Sequence, residues 1–124
     1  LDKIKLQFYN NVKVLGKINS LDKKINLAIC GISNLKIATG VQNKIFTYMS
    51  YSLPTIASLK STLGIKNFSI NKDFFLYKNE KQLIDQIIKL KGNELLSNQL
   101  STNSYNKIKN ISWEKTLKNY NKII

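Results

Sequence analysis

The stretch TGVQNKIFTYMSYSLPTIAS, Thr39 to Ser58, carries the strongest structural pattern in the chain. A loop ending in Thr-Gly leads into a run whose apolar residues Val41, Ile45 and Met49 lie four apart. This spacing predicts an amphipathic helix packed on a sheet. Pro54 ends the helix, and the β-branched run PTIAS that follows predicts a strand.

Further strands are predicted on both sides of this stretch. INLAICGI, Ile25 to Ile32, is almost continuously apolar and predicts a strand buried on both faces. VKVLG, Val12 to Gly16, alternates weakly and predicts another strand closed by glycine. FSI (68–70) and FFLY (74–77) predict short edge strands.

Helix signals dominate the C-terminal half of the chain. Asn79, with Gln82 three residues later, predicts a helix that ends at Gly92. Asn93 and Ser112 predict the caps of two more helices, and residues 2–9 predict a short one. Strands that alternate with helices predict an α/β fold of one domain over 1–124, with a parallel sheet flanked by helices and a helical C-terminus.

The composition narrows the possible functions. The formal net charge is +13, and all 20 basic residues are Lys. This charge indicates either an anionic partner or the codon bias of an AT-rich genome. The absence of Arg argues against a dedicated nucleic-acid reader, so no nucleic-acid partner is expected.

Cysteine and histidine usage exclude several kinds of site. Cys30 is the single cysteine and the chain has no His, which excludes disulfide frameworks, Cys–His pairs, Ser–His–Asp triads and His-based metal sites. A reducing, cytoplasmic compartment fits this usage. The chain starts without Met, which is typical of a piece of a longer protein.

The start of the central helix has the residues of an anion site. Thr39 as N-cap and Gln42 three residues later match the capping box, and Gly40 permits close approach of the backbone. Asn43 and Lys44 follow in the first turn, where free N–H groups and the helix dipole favour an anion. Such caps occur in most helices of parallel sheets, so a purely structural cap remains the alternative.

GVQNKIFTYMSYSLPTIAS resembles the donor-site motif of GT-B-fold glycosyltransferases, in particular the retaining family 4 (group 1) enzymes. Their usual form reads G-x-x-N-K-x-x-E-A-M-A-x-G-x-P-V-V-A-S. NVKVLGKINSLDKKINLAICGI is similar to the two family strands that precede the motif, and SWEKTLKNYNKII to the terminal helix. The resemblance covers nearly the whole chain in the family's order.

The resemblance implies a partial Rossmann-like lobe, the C-terminal donor-binding lobe of a two-lobe enzyme. It implies a retaining glycosyltransferase whose substrate is a nucleotide-diphosphate sugar donor, with no further cofactor. The acceptor is a glycan or lipid-linked molecule of bacterial envelope or capsular polysaccharide synthesis. Lys23-Lys24 and Lys89/Lys91 are typical of solvated faces, and attraction to the inner membrane leaflet is a second interpretation. Without the acceptor lobe the chain is expected to be inactive and to self-associate through exposed sheet edges near its N-terminus.

The family motif also implies which residues bind the donor. The backbone of residues 39–43 faces the sugar and diphosphate, Lys44 supports the loop or the phosphate charge, and Gly16 to Ile18 contact the base. Thr47 takes the place of the family's Glu for the ribose hydroxyls. The implied donor-binding residues are Gly16, Lys17, Ile18, Thr39, Gly40, Val41, Gln42, Asn43, Lys44 and Thr47, with no catalytic residue and no metal ligand.

Three positions depart from the family pattern. Thr39 and Thr47 stand where the broader pattern has acidic residues, and Ser52 stands where the family has Gly. A Thr hydroxyl is neutral and shorter than a carboxylate, so one charge-assisted contact to the donor is lost. The alternatives are therefore a degenerate glycosyltransferase relic and, from another class, a basic non-catalytic module that binds polyanions.

Overall fold

The computed structural model describes residues 10–16, 22–35 and 43–111. A three-stranded parallel sheet in the order β1-β2-β3 is flanked by helices. The elements are α1 (Asp22–Ile25), β1 (Gly31–Ser33), α2 (Asn43–Ser50), β2 (Thr55–Ser58), a 3₁₀ helix (Lys60–Thr62), β3 (Phe75–Tyr77), α3 (Glu80–Gly92) and α4 (Glu94–Lys109). The prediction of an α/β fold, a partial Rossmann-like lobe with a helical C-terminal region, is confirmed.

The register of the sheet brings three strand ends together. Ser33 of β1 pairs with Ala57, and Ser58 at the end of β2 pairs with Tyr77 at the end of β3. Because the strands are parallel, their carboxyl ends share one edge. We call this the carboxyl edge, and it consists of residues 33–35, 58–61 and 77 with the start of α2.

The core lies on both faces of the sheet, since successive strand residues point to opposite sides. On one face, Ile56 and Phe75 pack with Leu90 of α3 and Leu100 of α4. On the other face, a second cluster packs under α2 and consists of Ile45, Met49, Ala57 and Phe74. Each buried Ile, Leu, Met or Phe side chain contributes about 1.5–3 kcal/mol to folding. Helix α4 reaches both clusters, because Leu100 belongs to the first and Ile108 packs against the second.

The central helix forms where the sequence predicts it. Ile45 and Met49 lie four apart, and both are fully buried. The helix closes at its C-terminus by two hydrogen bonds: the Ser52 N–H donates to the Met49 carbonyl and the Leu53 N–H to the Tyr48 carbonyl, each at 3.0 Å. These are the two bonds of a Schellman motif, and they place Ser52 at the left-handed position.

The predicted caps of α3 and α4 are confirmed. Asn79 Oδ1 accepts a hydrogen bond from the Gln82 N–H at 2.9 Å, and Gln82 Oε1 accepts one from the Lys78 N–H at 2.8 Å. Asn93 Oδ1 accepts from the Leu96 N–H at 3.0 Å. Each cap satisfies a donor that the first helical turn leaves free.

The prediction of a strand over 25–32 is wrong for most of its length. Ile25 ends α1, the following residues form a turn, and Leu27 is 88% exposed. The first contact with β2 is the hydrogen bond from the Gly31 N–H to the Pro54 carbonyl, at 2.8 Å. Strand β2 itself begins at Thr55, so earlier residues have no neighbouring strand there.

Two shorter strand predictions are also wrong. Val12–Gly16 forms no regular structure and pairs with no strand among the described residues, and Gly16 has a φ of 63°. FSI contributes only one isolated bridge, between Ile70 and Phe74, because Asn67 and Asn71 adopt left-handed φ values of 69° on either side. FFLY does form a strand, which starts at Phe75.

The predicted helices at 2–9 and from Ser112 lie outside the described residues. Within 10–16, 22–35 and 43–111, no helix combines the length and apolarity needed to cross a membrane.

Candidate functional site

The carboxyl edge is where the described part of the predicted donor site lies. Asn43 is the first residue of α2, Lys44 is exposed in its first turn, and Thr47 is half-buried one turn later. Ligands of open parallel sheets bind at this edge, and a helix N-terminus is in general a favourable position for an anion. The structure therefore groups three of the predicted residues at the expected end of the sheet.

The other predicted site residues are not placed with these three. Gly16 is exposed, and a Cβ added to it would meet no heavy atom within 4 Å. The structure thus shows no packing of Gly16 against α2. The remaining predicted residues lie outside the described ranges: Lys17, Ile18, Thr39, Gly40, Val41 and Gln42.

The charge around the α2 N-terminus is entirely positive. From Lys23 to Lys72 the sequence contains no Asp or Glu, and the first turn of α2 contains no acid. Lys44 is exposed in that turn, and Lys60 is exposed just after β2. The helix dipole and these cations act in the same direction, so the carboxyl edge favours an anionic ligand.

Two serines outside the predicted site contact the end of β1. Ser61 Oγ lies 3.0 Å from the Ser33 carbonyl oxygen and 2.8 Å from Ser58 Oγ. Ser58 Oγ lies 3.0 Å from the Leu35 carbonyl oxygen, and the Leu35 N–H donates to both hydroxyls, at 3.2 and 3.1 Å. We call Ser58 and Ser61 the serine pair. The sequence signal for it is Ser-x-x-Ser that begins at the last residue of a buried strand.

Tyr77 places a buried hydroxyl beside the serine pair. Its side chain is 7% exposed, and Tyr77 Oη makes no hydrogen bond of acceptable geometry with the described residues. Burial raises the pKa of Tyr77, and the nearby Ser58 hydroxyl opposes that rise. The phenol therefore stays protonated at neutral pH.

The free thiol near β1 is not an activated nucleophile. Burial raises the pKa of Cys30, which keeps the thiol protonated at neutral pH. Burial is the main cause that raises the pKa of Tyr48. The negative charge that Cys30 carries once it is deprotonated raises it further. The Tyr48 ring lies directly on the Gly31 backbone, since a Cβ at Gly31 would come within 2.4 Å of that ring. Tyr48 thus belongs to the packing of β1 against α2, whereas Cys30, just before β1, packs against the cluster of Ile56 and Leu100 on the other face of the sheet.

An open groove of about 490 Å³ lies at the opposite, amino edge of the sheet. Lys91 and Glu94 line it together and carry opposite charges, while Pro54 and Leu90 form part of its apolar wall. Among the described residues, no set of three His, Cys, Asp or Glu side chains is placed to hold a metal ion.

No protein-family model matches the chain, and a search of curated proteins gives no match.

Proposed function

We propose that the chain is the donor-binding lobe of a retaining GT-B glycosyltransferase. It binds a nucleotide-diphosphate sugar whose glycosyl group is transferred to a glycan or lipid-linked acceptor. The observation that carries this proposal is the position of Asn43 and Lys44. They open α2 at the carboxyl edge of a parallel sheet, in a segment without any carboxylate from residue 23 to 72.

The geometry supports binding of the diphosphate. In glycosyl transfer, the bond between the sugar C1 and the phosphate oxygen breaks, and its electron pair leaves with the nucleoside diphosphate. The acceptor hydroxyl loses its proton and forms the new bond to C1. Free N–H groups of α2 and the Lys44 ammonium stabilise the negative charge that develops on the diphosphate.

Thr47 limits how strongly the site holds the nucleotide. It is half-buried on α2, one turn beyond Lys44. Its hydroxyl offers the ribose a neutral hydrogen bond, which is about half as strong as one to a carboxylate. We therefore expect the site to bind the donor with modest affinity.

The test is a calorimetric titration of the chain with UDP and with GDP. We expect one of them to bind, and Lys44→Gln to weaken that binding by about fivefold, because one exposed cation beside a bound anion is worth at most about 1 kcal/mol. Lys81→Gln is the matched control. It removes the same charge from a side chain that is 89% exposed on α3, and it should leave the affinity unchanged.

The net charge of +13 favours a second candidate, a module that binds polyanions. The same titration distinguishes the two. A donor lobe prefers a nucleotide and loses little affinity between 50 and 200 mM salt, whereas a polyanion binder prefers heparin or RNA and weakens by about 10³ or more. A folded chain that binds neither nucleotide nor polyanion would instead favour the degenerate relic.

A further inference from the structure

The end of β1 is held at the carboxyl edge by side chains. After Ser33 the chain leaves the sheet, and its backbone groups lose their neighbouring strand. The serine pair takes over, since its two hydroxyls contact the carbonyl oxygens of Ser33 and Leu35 and the N–H of Leu35. Side chains from the last residue of β2 and from the 3₁₀ helix thus add contacts to the last residue of β1 and take the place of a neighbouring strand at Leu35.

The hydroxyl hydrogens of the serine pair are too few for its contacts. Three oxygen–oxygen contacts need a hydrogen: Ser58 to Leu35 at 3.0 Å, Ser61 to Ser33 at 3.0 Å, and Ser58 to Ser61 at 2.8 Å. The carbonyl oxygens only accept, and each serine supplies one hydrogen. Two hydrogens serve three contacts, so one contact is always without a hydrogen.

The burial of the two carbonyl groups determines which of the three contacts lacks a hydrogen. Ser33 is 3% exposed, and Ser61 is fully buried. Leu35 is only half-buried, so solvent reaches its surroundings. The Ser33 carbonyl also belongs to the ladder between β1 and β2, and solvent does not reach its second acceptor position, whereas water can serve the Leu35 carbonyl. In the favoured arrangement, the Ser58 hydroxyl therefore donates to Ser61 Oγ, and the Ser61 hydroxyl donates to the Ser33 carbonyl.

We propose that Ser61 is a positioning residue for the carboxyl edge. Its hydroxyl accepts the Ser58 hydrogen and donates its own to the Ser33 carbonyl, and this directed pair of hydrogen bonds fixes the exit of β1 against the end of β2. The held residues, Ser33 to Leu35, are the last described ones before α2 begins at Asn43. The consequence for donor binding rests on the proposed function, while the fixing of β1 does not.

The Leu35 amide reports directly on this arrangement, because it donates to both hydroxyls. Hydrogen exchange followed by NMR should show it protected in the wild type. Ser61→Ala should lower that protection about tenfold, the size of one lost hydrogen bond. Ser58→Ala, at a half-buried position, should act in the same direction, and Ser58→Thr, which keeps the hydroxyl, should restore protection.

Ser104→Ala is the matched control for a general loss of stability. Ser104 is also fully buried, but its hydroxyl bonds to the Ser101 carbonyl within α4, at 3.1 Å. This variant should leave the Leu35 exchange rate, measured relative to the Ala57 amide in β2, unchanged. An unprotected Leu35 amide in the wild type, equal protection in Ser61→Ala, or an equal loss in Ser104→Ala would overturn the proposal.

A nucleotide titration of the same variants separates this inference from the proposed function. Ser61→Ala should bind UDP or GDP more weakly than the wild type does, by severalfold, with Ser104→Ala unchanged. If the wild type binds neither nucleotide, the donor-lobe proposal fails, and the exchange data still decide the role of Ser61. If Ser61→Ala loses Leu35 protection yet binds nucleotide normally, Ser61 positions β1 without positioning the donor site, and that part of the proposal is wrong.

Discussion

Ser52 shows at the scale of one residue how the backbone constrains the sequence. It has a φ of 56°, at the left-handed position that completes the Schellman motif of α2. A side chain at this position is strained, and Gly occupies it most often because Gly has no Cβ. The glycosyltransferase motif that the chain resembles has Gly there, so the structure supplies the physical reason for that preference.

Replacing this serine with glycine should therefore stabilise the fold. We expect Ser52→Gly to raise the free energy of unfolding by about 0.5–1 kcal/mol, because relief of left-handed strain exceeds the entropy that Gly adds to the unfolded chain. Urea denaturation measures this change. Ser50→Gly, within the last turn of α2, should lower stability by about 0.5–1 kcal/mol. Loss of stability in both variants would show that Ser52 is unstrained.

At the scale of elements, one buried ion pair ties α4 to the loop before β3. Asp73 is 2% exposed, and its Oδ2 accepts hydrogen bonds from the Ser69 N–H and from Lys107 Nζ. Lys107 also donates to the Asn67 carbonyl, at 3.0 Å. The pair anchors the C-terminal half of α4, beside Ile108 in the cluster under α2.

Removing the cation should cost far more than removing a surface lysine. We expect Lys107→Met to lower the free energy of unfolding by about 2–3 kcal/mol, since it leaves a buried carboxylate unpaired while Lys107 itself is partly exposed. Lys81→Met breaks a pair with Asp85 at 3.6 Å, where both side chains are exposed, and should change stability by less than about 0.5 kcal/mol.

A double variant tests whether the unpaired Asp73 carboxylate causes the loss of stability in Lys107→Met. Adding Asp73→Asn to Lys107→Met removes that charge and should restore part of the lost stability, again measured by urea denaturation. Equal effects of Lys107→Met and Lys81→Met would contradict the account of α4 anchoring.

Elements whose ends depend on nearby residues were predictable from the sequence. The caps at Asn79 and Asn93 bond to residues three positions away, so the sequence pattern contains both partners. The extent of β1 was not predictable, because an apolar run has the same appearance whether or not a strand lies beside it. Strand β1 starts only where Gly31 reaches Pro54, 23 residues later in the chain.

The residues of the candidate site also differ in how far the sequence predicts them. Asn43 and Lys44 follow from a local motif, and the structure places them at the start of α2. The Ser61 hydroxyl bonds to Ser33, 28 residues away, so no local spacing marks its role. The resemblance supplied the predicted ligand, whereas the contacts that hold the edge of β1 needed the folded chain.

At the scale of the whole molecule, the two outer edges of the sheet differ. On the β3 side, Gln86 of α3 donates from Nε2 to the Leu76 carbonyl, at 2.7 Å, and so covers the outer edge with a side chain. On the β1 side, no strand of the described residues pairs with the outer edge, and the Tyr48 hydroxyl donates a long hydrogen bond to the Ile32 carbonyl, at 3.5 Å. Ile32 is 37% exposed. A strand edge without a neighbouring strand, beside an exposed Ile, is a template for pairing with another chain.

We therefore expect the chain to self-associate through the β1 edge. Light scattering after size-exclusion chromatography should show a mass above 14.2 kDa that rises with concentration. A charge of +13 repels a second copy, so added salt should strengthen the association by screening. Ile32→Lys adds a charge at the edge and should return the chain to a monomer, as edge lysines do in natural sheets.

The matched control is Ile88→Lys, which makes the same substitution at a side chain that is 62% exposed on α3. It adds the same charge away from the β1 edge and should leave the association intact. If Ile88→Lys gives the monomer and Ile32→Lys does not, the contact lies on the outer face of α3. A wild-type chain that stays monomeric at high concentration and high salt would mean that the β1 edge is not available for pairing.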